Sequence, residues 1–515
     1  MAKSIISAEE YRKKVLGCWM GKNIGGTVGA PYEWKRQINN IDFYTQKLEG
    51  EAQPNDDLDI QLLWLIAMEE KGVDLDAHLL GEYWVMYVTP HWAEYGNAKI
   101  NMRTGITPPM SGYLNNSYRD SNGSFIRSEI WACVAPGSPQ TAARYAYQDA
   151  IIDHGGGEGV YAEVFCAALE SAAFVCDGLR KLIEIGCSYI PESSATHGAI
   201  HLAIDCYDGG KSWREARDLM LEKYRGRIAV GEEDTISAED AAKGFAEGEL
   251  GFDAPSNIGI LVIALLYGEG DFGKTLCTAV NCGEDTDCTA ATAGSIFGIM
   301  NGIDAIDQKW IDPIGNKINT MTLNIGDFAY TDDQGIATRI PSDVNELTER
   351  TEKVARQMIL DRGLDVVVGN TEKTDLSALA EASLYAGAVK DELCGDMLST
   401  IHKFDFFDVA VNYGETPAIK SGEPRMFKLT ISNKYAAQAN VKVKCYAPEG
   451  MSVTPSEGCC FVNYGGTGQD RKELDFEVLA ERLEPGVNRI VVELTIDGRP
   501  TVMLVPITLL NGNMM

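Results

Sequence analysis

The sequence lacks any apolar run of the roughly 18 residues that a membrane-spanning helix requires, so a helical membrane protein is not expected. It is also short of positive charge: 45 Lys and Arg face 75 Asp and Glu, for a net charge of −30. Phosphate backbones and anionic bilayers would be repelled, which argues against nucleic acid and membrane as partners. The plain consequence of that charge is solubility; a cationic partner or a demand for divalent cations is the alternative. The thirteen cysteines are odd in number and scattered, with no CxxC pair matched by a second at zinc-finger spacing. A disulfide framework is therefore not expected, and reduced thiols in a cytoplasm account for them. The adjacent Cys459 and Cys460 read as strand residues. The opening MAKSIISAEEYRKKV lacks the apolar stretch of an export signal, consistent with a cytoplasmic protein.

What is present has two textures. The 515 residues exceed what one hydrophobic core can organise, and the 45% apolar and 23% charged content is that of a soluble globular protein. Up to about residue 400, segments such as 58–70, 159–179 and 257–268 carry apolar residues at helical spacing. Several are apolar on most sides and rich in Ala and Gly, as in the middle of a large helical bundle. Residues 345–400 read as amphipathic helix that caps the bundle or bridges onward. From about 405 the period becomes two, in FKLTISN, VKVKCYAP, LDFEVLAE, RIVVELTID and TVMLVPITLL. That pattern predicts a small antiparallel, immunoglobulin-like sandwich over 405–515, following a helical domain over 1–400. Gly414 to Pro424 is a polar connecting stretch.

Three segments concentrate carboxylates. In GCWMGKNIGGTVGAPYE, Gly17, Gly21, Gly25 and Gly29 form one bare stripe on a helix, Pro31 ends it, and Glu33 follows in the emerging loop. In QPNDDLDIQLLWL, Asn55, Asp56 and Asp57 stand at a helix start. In NCGEDTDCTAATAGSIFGIMNG, Asp285 and Asp287 precede a helix of small residues. N-capping explains one oxygen-bearing side chain at each start, not two or three. If the three helix ends converge, five carboxylates share a site and need protons or divalent cations to coexist. Oxygen ligands select Mg²⁺, Mn²⁺ or Ca²⁺ over zinc.

These blocks, together with SPQTAARYAYQDAIIDHGGGEGVYAEVFCAALESAAF (138–174), resemble the signature of the ADP-ribosylglycohydrolase family over roughly residues 10–305. The resemblance implies an all-α orthogonal bundle holding a two-ion magnesium centre. It also implies hydrolysis of an ADP-ribosyl bond in a modified protein or a small-molecule conjugate. By the same resemblance Asn55, Asp56, Asp57, Asp285 and Asp287 surround the metals, and Glu33 and Asp287 are the candidate catalytic carboxylates. Asn122, Gly123, Ser124 and His154 would meet the nucleotide. Four positions depart from the pattern: Asn55, Leu58 and Cys288 stand where Thr is usual, and Gly26 where Asp is usual. A thiol at 288 is a poor ligand for a hard ion, so the second metal's affinity and the substrate are the properties most affected. Hydrolysis of a different ribosyl or nucleoside substrate, or a non-catalytic role like that of the J-crystallins, are the alternatives; homo-oligomerisation stays open.

Further residues are candidates for the site. Arg119 and Arg127 lie near the 122–124 loop and could meet phosphates, and Tyr113 and Phe125 could stack on adenine. The acidic run 231–240 reads as a solvated loop and helix start capped by Ser237. His197 and His201 lie four apart on a helix, with no third zinc ligand visible in the sequence.

Overall fold

The computed structural model describes residues 3–33, 37–225, 242, 252–324, 329–332, 335–338 and 340–513. The acidic run 231–240 lies outside the described residues. Two compact units emerge: one from Met1–Tyr95, Ser117–Ala150 and Gly156–Cys394, the other from Gly96–Asn116, Ile151–Gly155 and Gly395–Met515.

The first unit is helical, and its centre follows from the glycine stripe. Helix α1 (Ala8–Gly29) starts at Ser7, whose hydroxyl accepts from the Glu10 amide at 3.2 Å. A single turn of tighter helix, Ala30–Tyr32, then ends it at the proline and leaves Glu33 in the turn beyond. Helix α2 (Asp56–Lys71) follows, with Leu58 and the run from Ile60 to Met68 buried. Later come α3 (Glu158–Ala172), α4 (Leu179–Cys187), α5 (Ala195–Asp208), α6 (Ala254–Gly268), α7 (Phe272–Cys282) and α8 (Thr286–Asn301).

Helices α1 and α8 run antiparallel with their backbones almost touching. A methyl group at Gly17, Gly21 or Gly25 would lie 2.7, 2.1 or 2.2 Å from the carbonyl oxygens of Gly298, Gly294 and Ala290. At Gly29 it would meet the Asp287 Cα at 2.4 Å. The stripe therefore has a second consequence beyond packing: it lays the end of α1 against the start of α8, setting Glu33 beside the 285–287 turn. Neither backbone can yield without moving a central helix, so Gly21→Ala is expected to cost about 3 kcal/mol. Urea unfolding would check this; a variant within about 0.5 kcal/mol of the parent would show that the two helices separate freely.

The helical unit also contains strand. Strand β1 (Ser4–Ser7) pairs in parallel with β2 (Val366–Gly369), Ser4 opposite Val366. The amphipathic helix expected over 345–400 is confined to α9 (Val344–Arg362). Gly363, at φ 66°, closes it in the left-handed conformation that glycine adopts without strain, and the β-branched Val366–Val368 then favour the strand. Beyond β2 the chain continues in turns and the short helical pieces Glu381–Leu384 and Val389–Glu392.

The second unit is a two-sheet sandwich. Its strands are β3 (Ser399–Lys403), β4 (Phe407–Asn412), β5 (Ala418–Ile419), β6 (Arg425–Asn433), β7 (Ala439–Tyr446), β8 (Met451–Thr454), β9 (Glu457–Val462), β10 (Arg471–Ala480), β11 (Val487–Ile496) and β12 (Val502–Asn511). One sheet has the order β8-β10-β6-β4-β3, the other β9-β7-β11-β12-β5. All pairings are antiparallel except β5 with β12. Alternation along the strands puts Phe427, Leu429 and Ile431 of one sheet into a common core with Ile490, Val492 and Leu494 of the other. Ile106, Met110 and Leu114, from a segment far upstream, complete that core. Cys460 faces inward and Cys459 outward on β9, and all thirteen cysteines are free thiols.

A carboxylate-lined cleft and candidate metal centre

The acidic side chains of the first unit gather where three helix ends meet. Asn55 caps α2 conventionally, its carbonyl oxygen accepting from the Asp57 amide at 2.8 Å. Its amide nitrogen reaches across to Asp287 Oδ2 at 3.3 Å, joining the start of α2 to the start of α8. This explains one departure from the family pattern. A Cβ at Gly26 would lie 2.3 Å from the Asn55 amide nitrogen, so the space beside position 26 is taken by the Asn55 side chain.

Asp285 precedes α8, receives 2.7 Å from the Asn122 amide nitrogen on Oδ2, and is buried. Asp287, in the first turn of α8, is also buried. Thr286 between them donates to the Gly29 carbonyl at 2.9 Å, pinning the turn to the end of α1. Asp57 is buried on the inner side, 3.9 Å from the Lys22 ammonium and accepting from the Cys288 thiol at 3.3 Å. Lys22 is itself buried and bonded to Glu129 at 2.7 Å and Thr292 at 3.3 Å. Asp56 accepts from the Tyr95 hydroxyl at 3.1 Å. Asn55, Asp56, Asn122, Asp285 and Asp287 face a cavity of about 360 Å³, lined also by Glu33, Trp92, Ser121, Gly123, Phe252 and Met321, with Asp57 and Lys22 behind its wall.

The electrostatics favour neutralisation. Burial, then the neighbouring Glu33 charge, pushes Asp285 up to about 7. Burial and Asp285 together push Asp287 well above the usual carboxylate range. Burial also raises Asp57, against the pull of Lys22, and Asp56, against the Tyr95 hydrogen bond. The Cys288 thiol is raised by burial and by the carboxylates around it, which keeps it a proton donor to Asp57 and not a thiolate ligand.

The donor set fits hard divalent ions. Asp285 Oδ1, Asp287 Oδ1 and Asp57 Oδ2 are buried and accept no hydrogen bond among the described residues. Such oxygens are costly unless a proton or a cation meets them. Ligand atoms of Glu33, Asp285 and Asp287 lie within 4.8 Å of one another, and so do those of Asp57, Asp287 and Cys288. Asp287 belongs to both sets.

Other residues singled out from the sequence are placed as follows. Asn122 and Gly123 line the cavity, but Ser124 is buried and donates to the Gly159 carbonyl at 2.6 Å; Ser121 is the serine on the wall. Arg127 is fully buried, paired to Asp149 at 2.8 Å and bonded to the Gly123 carbonyl, so it supports the loop and is not open to a phosphate. Phe125 is fully buried, which leaves no face for adenine; half-exposed Trp92 offers one on the cavity wall. Arg119 lies 3.7 Å from Asp120 and does not line the cavity. His154 and Tyr113 belong to the second unit, where His154 Nδ1 lies 2.9 Å from Asp153 Oδ1 and is buried.

Sequence reasoning passed over Lys22, Asp59, Trp92 and Tyr95. Asp59 accepts the Met321 and Thr322 amides at 2.8 and 2.7 Å and the Thr322 hydroxyl at 2.9 Å, anchoring the loop that carries Met321 to the cavity. An aspartate at the fourth position of an apolar helix face was the available signal: a carboxylate there needs partners.

The ADP-ribosylglycohydrolase family model matches residues 7–346. Among solved structures, the chain is similar to an ADP-ribosylglycohydrolase-related protein complex at 17% identity, covering 68% of this chain and 98% of that one, with a TM-score of 0.42. It is also similar to WR4, a Caenorhabditis elegans MSP family member, at 16% identity over 21% of this chain and 100% of that one, with a TM-score of 0.15. No curated protein matches. No helix among the described residues is long and apolar enough to cross a membrane.

Proposed function

Because the chain belongs to the ADP-ribosylglycohydrolase family, we propose that its cleft hydrolyses the N- or O-glycosidic bond of an ADP-ribosylated protein or small-molecule conjugate with the help of two divalent ions. The observation that carries this reading is the pair of ligand sets sharing Asp287, one with Glu33 and Asp285 and the other with Asp57, beside the Cys288 thiol. Asn55 and Asp56 complete the oxygen-rich rim. Mg²⁺ suits these donors, with Mn²⁺ and Ca²⁺ as close chemical substitutes; bound there, such ions would polarise ribose oxygens and lower the pKa of water.

The chain's own groups then supply position and protons. Cleavage breaks the bond from the anomeric carbon to the acceptor, forms a bond from that carbon to water oxygen, and delivers a proton to the leaving group through an oxocarbenium-like transition state. Glu33, half-buried in the turn after α1, is the carboxylate placed to move that proton; Asp287 is held more rigidly at α8. Asn122 orients Asp285 and Tyr95 orients Asp56 through the hydrogen bonds described above. Trp92 provides an aromatic surface for the base. Support over a purely structural role comes from the buried carboxylate oxygens without donors, which a structural protein gains nothing by keeping.

The test is release of ADP-ribose from Arg-linked, Ser-linked and small-molecule conjugates by the full chain, followed by mass spectrometry with Mg²⁺ or with EDTA. Metal-dependent release is expected from at least one class. No release with Mg²⁺, Mn²⁺ or Ca²⁺ would overturn the reading. Glu33→Gln should lower kcat about 10²-fold, the low end for a lost proton-transfer group, and should also weaken the ion held with Asp285 and Asp287. A variant with full kcat would remove Glu33 from the chemistry.

A further inference from the structure

Away from the carboxylate cleft, the ends of α4 and α5 build a second constellation of different chemistry. Helix α5 is started firmly: the Ser194 hydroxyl accepts from the His197 amide at 3.1 Å. The Glu158 carboxylate receives the Ala195 and Thr196 amides, each at 2.9 Å, and the Thr196 hydroxyl at 2.8 Å. His197 and His201 then stand one helical turn apart on the same face, their ring centroids 4.4 Å apart. Cys187 closes α4 opposite them. Ligand atoms of Cys187, His197 and His201 all lie within 4.8 Å of one another. A cavity of about 340 Å³ opens here, lined also by Glu184, Glu192 and Lys390 and sharing no residue with the carboxylate cleft.

We propose that Cys187, His197 and His201 form a zinc site, with water or Glu192 as the fourth ligand. The two histidines alone lacked a third partner in the sequence, and the fold supplies it from the preceding helix. Thiolate and imidazole select zinc and its soft relatives, where the cleft's oxygens select magnesium-like ions. Bonds of about 2.0–2.3 Å put neighbouring ligand atoms of a tetrahedral zinc roughly 3.3–3.6 Å apart, so the observed spread needs only side-chain rotation to close. His201 is exposed and His197 half-buried, which leaves the ion a path in. Of the nearby cations, Arg180 is bonded to Asp208, and Lys390 lines the cavity together with Glu184 and Glu192. Without an ion, burial pushes the Cys187 thiol up to about 12, so it is no reactive nucleophile. Zinc binding then forms the sulfur–zinc bond and releases the thiol proton to solvent. The site would tie the end of α4 to α5 and raise stability by mass action.

Cobalt(II) titration of the full chain, read by the near-ultraviolet thiolate-to-cobalt charge-transfer band, tests this. One cobalt per chain should give the band, and zinc should abolish it. Cys187→Ser should lose the band, and Cys288→Ser, beside the carboxylates, should keep it. His201→Ala, at an exposed position that folding tolerates, should weaken cobalt binding at least about tenfold, since even supporting groups around a metal are worth that much. Absence of the band in the parent chain, its survival in Cys187→Ser, its loss in Cys288→Ser, or unchanged affinity in His201→Ala would each overturn the proposal.

Discussion

Asp287→Asn is expected to lower ADP-ribosyl hydrolysis by about 10³-fold or more. Among the described residues, this carboxylate contributes to both ligand sets of the cleft. It also receives the Asn55 amide that joins α2 to α8. Losing an ion that stabilises transition-state charge removes several kcal/mol, and each 1.36 kcal/mol is about tenfold in rate. The amide keeps the volume of the carboxylate, so α8 and its contact with α1 stay in place. An unchanged melting temperature beside the lost rate would separate chemistry from folding. Asp57→Asn provides the contrast, because it touches a single set and leaves Lys22 bonded to Glu129; a smaller loss is expected there. Full activity in Asp287→Asn, measured at saturating Mg²⁺, would remove the shared carboxylate from the reaction.

The second large effect is a pH dependence of ion binding. Asp285 moves from an ordinary 3.8 to about 7 in the folded chain because burial and Glu33 disfavour its charge. A divalent ion must displace that proton, so affinity should climb at least about tenfold per pH unit as pH rises toward 7, with Asp287 and Asp57 adding in the same direction. Calorimetric Mn²⁺ titrations at pH 5.5, 6.5 and 7.5 would show it; equal affinities at all three would mean that no buried carboxyl is displaced. Stability carries the opposite sign. A carboxyl whose folded pKa is raised binds more protons folded than unfolded between about 3.8 and 7. In EDTA the chain should therefore lose stability as pH rises through that window, with Asp287 and Asp57 contributing in the same direction. Mg²⁺ should restore more stability at pH 8 than at pH 5. Melting curves that rise with pH in EDTA would contradict the burial that raises these groups.

Much of this was readable in local pattern. Stripes every four residues and acidic residues at helix starts are local features, and the structure does put the Gly17–Gly29 stripe on α8 and the Asn55–Asp57 and Asp285–Asp287 turns beside one cavity. The change of period expected near 405 falls after the first sandwich strand, β3 (Ser399–Lys403), and the alternating strands beyond it bury one face each. The failures share one cause. Ser124, Arg127 and Phe125 carry the right chemistry for a nucleotide loop, yet their side chains turn inward, and Ser121 and Trp92 stand on the wall. A loop has no period from which to read direction. The amphipathic pattern of 345–400 reads as helix throughout; the left-handed Gly363 ends the helix, and parallel pairing with Ser4–Ser7 makes Val366–Gly369 a strand.

The sequence alone determined that a helical region precedes a region of strands, which helix faces could approach without side chains, and that carboxylates would stand at helix ends, because these follow from spacing along one segment. Only the tertiary structure decided that Asp57, Asp285 and Asp287 leave buried oxygens without donors, that Asn55 fills the space beside Gly26, and that Cys187 joins His197 and His201. Those depend on distances between segments remote in the chain, which are set when backbones pack and have no signature in any one of them.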